Sequence, residues 1–225
     1  MNLPINQIIC GDNLEVMRGW DLSCMKDVIV LTDPPYGISH PTDYKSRGRG
    51  QAASPKDYAP IHGDDHEFNP EWLLKLKVPL ILWGANYYAN QLPVKSGWLV
   101  WDKKRPDNLD QSTCELAWTN CVKGVRRFSY LWNGCMKDGE QGVSIHPTQK
   151  PVALMKWCLS LRWTSHFKLI IDPYCGSGST CVAAKQKGLN YIGIEMSPEY
   201  CEIAKRRLGK SIEREGFFDE TQQST

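Results

Sequence analysis

The stretch Leu169-Ile170-Ile171-Asp172-Pro173-Tyr174-Cys175-Gly176-Ser177-Gly178-Ser179-Thr180 narrows the choice of fold most. Its apolar run enters a glycine turn and then a helix-forming segment, Cys181-Val182-Ala183-Ala184. Tyr191-Ile192-Gly193-Ile194-Glu195 follows as a second apolar run ending in a carboxylate. Strand, glycine turn, helix and strand in that order make a βαβ unit, whose strands run parallel. Gly176 and Gly178 allow the backbone to approach a ligand, and Glu195 at a strand end can accept both hydroxyls of a ribose, so the unit reads as nucleoside-binding. The dinucleotide fingerprint is incomplete, because Cys181 stands where its last glycine would be. The alternative is a plain strand-to-helix turn.

A second strand end carries different chemistry. Asp27-Val28-Ile29-Val30-Leu31-Thr32 suits a buried parallel strand, and Asp33-Pro34-Pro35-Tyr36 stops it abruptly. In an open α/β sheet that edge faces the ligand crevice. The exocyclic amine of a nucleobase is a poor nucleophile because its lone pair is delocalised into the ring. If the Asp33 carboxylate and the Pro34 carbonyl each accept one N–H, the nitrogen is drawn toward a tetrahedral shape and its lone pair is freed. Pro34 and Pro35 leave carbonyls without competing amide donors, and the Tyr36 ring would stack on the base. A strand-ending turn with a surface tyrosine is the alternative.

A chain of 225 residues, 41% apolar and 23% charged, is long enough for one well-buried domain and ordinary for a globular one. No apolar run reaches the roughly 20 residues of a membrane span, and no charged leader precedes an apolar core at the start, so a cytoplasmic protein without membrane contact is expected. Nine cysteines are scattered without a Cys-x-x-Cys pair, which favours reduced thiols over metal ligands, and no metal is expected. A net charge of +2 means that any nucleic-acid surface must come from local clustering.

Ile5 to Cys10 reads as a further strand, with Asp12 at its end placed either to meet a ligand's amine or to cap the short helix that follows. Residues 37–69 lose apolar periodicity and hold Lys45, Arg47, Arg49 and Lys56 among glycines and tyrosines. That is an unusually long connection, expected to act as a mobile loop over DNA and the target base, with residues 38–66 as its gate. Pro79 to Trp83 and Trp98 to Trp101 read as strands, the latter ending at Asp102-Lys103-Lys104-Arg105. In residues 103–143 strands are expected at Leu116 to Trp118 and Phe128 to Trp132. Lys103, Lys104, Arg105, Arg126 and Arg127 are candidates for touching DNA there. His146-Pro147-Thr148-Gln149-Lys150-Pro151 opens an amphipathic helix that Thr148 could cap. Lys150 near its start opposes the helix dipole unless an anion lies close by.

Taken together, these motifs resemble the amino-group DNA methyltransferases that use S-adenosylmethionine. Asp33-Pro34-Pro35-Tyr36 is similar to their catalytic motif. Asp172 to Ser179 is similar to their cofactor loop, with Tyr174 and Ser179 where Phe and Thr are usual, and His146 to Pro151 resembles the segment before that loop. The order, catalytic motif first and cofactor loop last, resembles the permuted β group. The resemblance covers residues 5–102 and 144–208 and leaves 103–143 as a small candidate target-recognition insertion. It implies a single α/β domain over 1–225: a Rossmann-like methyltransferase fold with a seven-stranded, mostly parallel sheet and circularly permuted motif order. It further implies S-adenosylmethionine as cofactor, held by Asp12 near its adenine, Glu195 on its ribose, and Asp33, His146, Thr148, Lys150, Asp172, Tyr174, Gly176, Ser177, Gly178 and Ser179 around the rest. DNA is the implied partner, a homodimer is left open, and the target base is implied to flip out of the duplex. The Asp-Pro-Pro-Tyr form leans toward adenine N6, since cytosine-N4 members more often have Ser in its first place. Two rivals stay open at this point. A nicotinamide dehydrogenase would leave Asp33 to Tyr36 without a role, and a catalytically silent DNA-binding module would not need the acceptor groups.

Overall fold

The computed structural model describes residues 2–40, 42, 57–106, 112–133, 136–139 and 145–216. Ten strands are described: β1 (Gln7–Cys10), β2 (Val28–Thr32), β3 (Leu80–Trp83), β4 (Trp98–Asp102), β5 (Cys114–Thr119), β6 (Val125–Ser129), β7 (Trp132–Asn133), β8 (Met136–Lys137), β9 (Leu169–Asp172) and β10 (Asn190–Glu195). The helices are α1 (Asn13–Val16), α2 (Glu71–Lys75), α3 (Val152–Cys158), α4 (Ser179–Lys185) and α5 (Pro198–Gly216).

Among the described residues eight strands form one sheet in the order β1-β10-β9-β2-β3-β5-β4-β6, while β7 and β8 make a separate hairpin. Pairing is parallel except that β5 runs antiparallel to both its neighbours. The sheet thus has eight strands where seven were expected. Part of residues 103–143 belongs to the sheet: β5 lies between β3 and β4, and β6 extends the edge. The reason is visible in β5: Ala117, Trp118 and Thr119 are fully or almost fully buried, so this segment is core.

Both faces of the sheet are covered, which is why its central strands carry continuous apolar runs. Side chains alternate sides along each strand. Ile29, Leu31, Ile81 and Trp83 pack with α3 and α4 on one face, and Val28, Val30, Leu80 and Leu82 pack with Leu73 of α2 and with Tyr88 on the other. From β2 the chain crosses by α2 to β3 in one direction; from β9 it crosses by α4 to β10 in the opposite direction. Strand order therefore reverses between β2 and β9, and a crevice opens beyond their carboxyl ends at such a point. Thr32 at the end of β2 donates its hydroxyl to Asp172 Oδ1 at the end of β9 at 2.6 Å, tying the two strands together there.

Candidate active site

Asp33 to Tyr36 leave β2 at the floor of a cleft of about 980 Å³, part of it open to solvent, that continues past the β9–α4 turn to Glu195. Tyr36 lies where Gly84 has no side chain: a Cβ on Gly84, whose φ is +70°, would fall 1.8 Å from the ring. The ring stacks on Tyr87 at 4.8 Å between centroids and 14° between planes. One face of the expected stacking platform is thus covered by Tyr87. The Tyr36 hydroxyl donates to Asp33 Oδ1.

The other Asp33 oxygen accepts from Lys150 Nζ at 2.5 Å. Lys150 Nζ also reaches the Tyr36 hydroxyl oxygen at 2.9 Å and Glu115 Oε2 at 3.0 Å, and Lys103 Nζ sits 2.6 Å from Glu115 Oε1. Burial pushes the Asp33 carboxyl up and Lys150 pulls it back; with an ammonium in contact it stands as the carboxylate of an ion pair. Burial also opposes the Glu115 charge, yet the Lys150 and Lys103 ammoniums hold its carboxyl at about 2. Lys150, buried itself, is held well above its ordinary value by Asp33 and Glu115. The anion that Lys150 requires near a helix start is therefore supplied by the protein, not by a ligand. Lys150 lines the cleft beside the Asp33 carboxylate.

Asp64 fixes the backbone that follows. Its Oδ1 accepts from the amides of Tyr36 at 3.1 Å, Gly37 at 2.9 Å and Ile38 at 3.3 Å, and Oδ2 accepts from His40 at 2.6 Å. Both ends of the long connection are joined by this one buried carboxylate. Lys45, Arg47, Arg49 and Lys56, and the middle of the expected gate, lie outside the described residues.

At the other end of the cleft Glu195 Oε2 accepts from the amide of Gly176 at 2.9 Å and Oε1 from that of Ser197 at 2.8 Å. Each oxygen keeps a lone pair for a ribose hydroxyl. Gly178, at φ +83°, allows α4 to start against α5: a Cβ there would be 2.9 Å from that of Ala204. Arg207 of α5 donates to the carbonyl of Ser177 at 2.8 Å and lies 3.2 and 3.1 Å from the hydroxyls of Ser177 and Ser179. Ser179 also donates to the Lys150 carbonyl at 2.7 Å, so it braces the turn. His146 lines the cleft, and burial, with Lys150, His40 and Arg207 nearby, lowers it to about 3, so it is neutral. Its Nδ1 lies 3.2 Å from both the amide and the hydroxyl of Thr148. Thr148 lines the cleft but does not cap α3, whose N-cap is Pro151. Tyr174 lines the same cleft, its hydroxyl accepting from Trp72 Nε1 at 3.2 Å.

Two expected cofactor residues have structural duties. Asp12 caps α1 by accepting from the amide of Glu15 at 2.9 Å, and Gly11 and Asn13 line the cleft in its stead. Asp172 is buried, accepts from Thr32 and from the amide of Tyr174 at 3.2 Å, and is pushed up to about 6 by burial. The glycine turn and the Glu195 carboxylate, both lining the cleft, fit S-adenosylmethionine.

Of the expected DNA contacts, Lys103 points inward into the ion cluster, with 11% of its side chain exposed. This corrects its assignment as a phosphate contact, because a buried ammonium cannot meet a polyanion. Arg105 donates from Nε and Nη2 to the Trp132 carbonyl at 3.2 and 3.0 Å, and the Arg126 guanidinium lies 4.8 Å from the Trp163 ring centre. Lys104 and Arg127 are exposed. Glu115 and Asp64 escaped sequence reading. Glu115 meets Lys150, and Asp64 meets the backbone from Tyr36 to His40, across at least 24 positions of chain, and neither lies in a motif.

A family profile described as DNA methylase, the N6/N4 type, matches residues 72–206. The Type II methyltransferase M2.LlaDCHI of Lactococcus lactis subsp. cremoris is 29% identical over 221 residues, covering 81% of this chain and 82% of that protein. M2.DpnII of Streptococcus pneumoniae, also a Type II methyltransferase, is 29% identical over 219 residues, with 80% and 81% covered. Among solved structures, M1.HpyAVI with SAM has a TM-score of 0.50 at 24% identity, covering 90% of this chain and 99% of that one. The cytosine-N4-specific PvuII DNA methyltransferase has a TM-score of 0.59 at 14% identity, covering 92% and 89%. These structures share the Rossmann-like methyltransferase fold with this chain. The chain belongs to the N6/N4 family of DNA methylases, S-adenosylmethionine-dependent enzymes that methylate exocyclic amino groups of DNA bases.

Proposed function

We propose that the methylated base is adenine, at N6, with Asp33 and the Pro34 carbonyl as the acceptors for its amine. The observation that carries this reading is the Asp33 carboxylate at the end of β2, held by Lys150 at 2.5 Å at the floor of the cleft. A carboxylate in that place is the adenine-leaning form of the motif, and as a pure acceptor it can take an N–H without donating one back.

Bound S-adenosylmethionine supplies an electrophilic sulfonium methyl. Gly176, Ser177, Glu195, His146 and Thr148 would hold it in the far half of the cleft. Asp33 draws one amine proton and the Pro34 carbonyl the other, freeing the nitrogen lone pair. The proton that the nitrogen would shed on methylation passes to Asp33 and then to water. To reach Oδ1 the amine must displace the Tyr36 hydroxyl, which donates there in its absence. Pro35 keeps the turn rigid, and the Tyr36 ring provides an aromatic face for the flipped base.

In this reading Lys45, Arg47, Arg49, Lys56, Lys104, Arg105, Arg126 and Arg127 supply phosphate-binding charge, 37–69 closes over the target base, and the parts of 103–143 outside the sheet contribute to target recognition. Among the described residues no helix is long and apolar enough to cross a membrane. A cytoplasmic modification enzyme of the restriction–modification kind, acting as monomer or homodimer, accords with that. Incubating unmethylated DNA with the protein and S-adenosylmethionine, then digesting to nucleosides for mass spectrometry, is expected to give N6-methyladenine. N4-methylcytosine as the main product would overturn the base assignment and leave the reaction class intact.

A further inference from the structure

The Lys150 ammonium has three oxygens around it: Asp33 Oδ2 at 2.5 Å, the Tyr36 hydroxyl at 2.9 Å and Glu115 Oε2 at 3.0 Å, the last as an ion pair without the direction of a hydrogen bond. Its side chain is 5% exposed, so no water shell competes for its protons. Glu115 is fixed in turn, because its second oxygen is bound by Lys103 at 2.6 Å. The four groups form a neutral row, Lys103, Glu115, Lys150 and Asp33, that runs from the end of β4 through β5 to the end of β2. The first three come from parts of the chain without a recognised catalytic motif or from a segment expected to hold cofactor.

We propose that Glu115 is a positioning residue for methyl transfer: it holds Lys150 so that the ammonium locks the Asp33 carboxylate in its acceptor orientation. Lysine has a flexible four-carbon stem, and one acceptor alone leaves it many rotamers. Glu115, itself held by Lys103, adds a further fixed oxygen beside Asp33 and the Tyr36 hydroxyl and narrows that freedom. A buried ion row of this kind adds little net stability compared with apolar packing. Its effect falls instead on geometry, where a displacement of about 1 Å can cost on the order of 100-fold in rate. The inference rests on Asp33 as the acceptor.

Two variants test it without leaving an unbalanced buried charge. Glu115→Asp keeps the charge and shortens the reach by one methylene, and the double variant Lys103→Met/Glu115→Gln leaves Lys150 and Asp33 as a neutral pair. Single-turnover methylation is measured per site competent to bind S-adenosylmethionine, so that partial unfolding lowers amplitude and not the rate constant. Both variants are expected to lose about 10- to 100-fold in that rate constant, with cofactor affinity within about 3-fold of the parent. Parental rate constants in both would overturn the role. Loss of all cofactor binding in both would also overturn it, assigning the row to folding. Asp33→Ala, run alongside, separates the levels. If it too methylates at the parental rate, the acceptor reading itself fails; if it is slow while the Glu115 variants are fast, only the positioning role fails.

Discussion

At the Glu195 end of the cleft the groups that face a ligand are held by backbone: amides of Gly176 and Ser197 on one carboxylate, and a turn that passes under α5 because Gly178 lacks a side chain. At the Asp33 end they are held by charge, through Lys150, Glu115 and Lys103, with side-chain ion pairs of 2.5 to 3.0 Å. The backbone-built end should tolerate loss of a charge and fail when a Cβ is added. The charge-built end should do the reverse, apart from Gly84, over which Tyr36 lies, and Gly37, where a Cβ would meet the His66 backbone. The contrast follows from what each end must do. In the proposed function one binds a large molecule by shape, and the other orients a small amine to within a fraction of an ångström.

Removing the Lys150 charge is the strongest way to break this comparison. Lys150→Met leaves Asp33 and Glu115 with Lys103 as their sole close ammonium in the row, and breaking a buried pair costs about 3–5 kcal/mol. Denaturant unfolding is expected to show a loss of that size, together with near-complete loss of methylation. A Lys150→Met protein as stable as the parent would show that the row is not a connected ionic unit.

A smaller effect concerns Asp172, which joins the two ends. Its folded value is raised from 3.8 to about 6 by burial, so its stabilising contribution is fully present below about pH 4 and is lost as pH rises to about 6. Asp172→Asn keeps acceptors for Thr32 and the Tyr174 amide and removes the charge. The variant should gain on the parent as pH rises through that window, by on the order of 3 kcal/mol, and the difference should then level off. Parallel stability curves for the two proteins from pH 4 to about 7 would contradict the assignment.

Paired glycine substitutions sharpen the contrast further. Gly178→Ala should weaken S-adenosylmethionine binding by about 10-fold through crowding of Ala204, at a cost of about 1–3 kcal/mol, while the rate constant at saturating cofactor holds. Gly84→Ala should displace Tyr36 and lower the rate constant with cofactor affinity nearly unchanged. Titration calorimetry and single-turnover kinetics on both would reveal a swap of these outcomes. The smallest effect concerns DNA binding. Neutralising Arg47 and Arg49 together should reduce the salt dependence of DNA binding by about one to two units of slope, since DNA gives up about one counterion for every phosphate that an arginine neutralises.

The two ends differ in how legible they are in the sequence, and the reason is physical. The Glu195 end is a contiguous strand, turn, helix and strand, so Gly176, Gly178 and Glu195 announce it by spacing. The Asp33 end is legible only in its four contiguous residues. Lys150 meets Asp33 across 117 positions, and Glu115 and Lys103 join the row through the sheet order, which places β5 and β4 beyond β3, so no local pattern encodes it. Lys103 reads as a surface cation because it sits in a basic run, and Asp12 reads as a ligand group because capping and binding use the same side chain at the same place. The one local signal of the ion row is the conflict of Lys150 with the helix start. It requires an anion, and sequence alone does not say whether protein or ligand provides it.

Asp33 as acceptor of the amine, separable from cofactor binding, is tested most directly by single-turnover methylation with Asp33→Ala at saturating S-adenosylmethionine, with cofactor affinity determined on the same preparation. The rate constant should fall about 100-fold or more, as for a lost transition-state hydrogen bond, and cofactor affinity should change little. A variant that methylates DNA at the parental rate, or one that is slow solely because it no longer binds S-adenosylmethionine, would contradict that role.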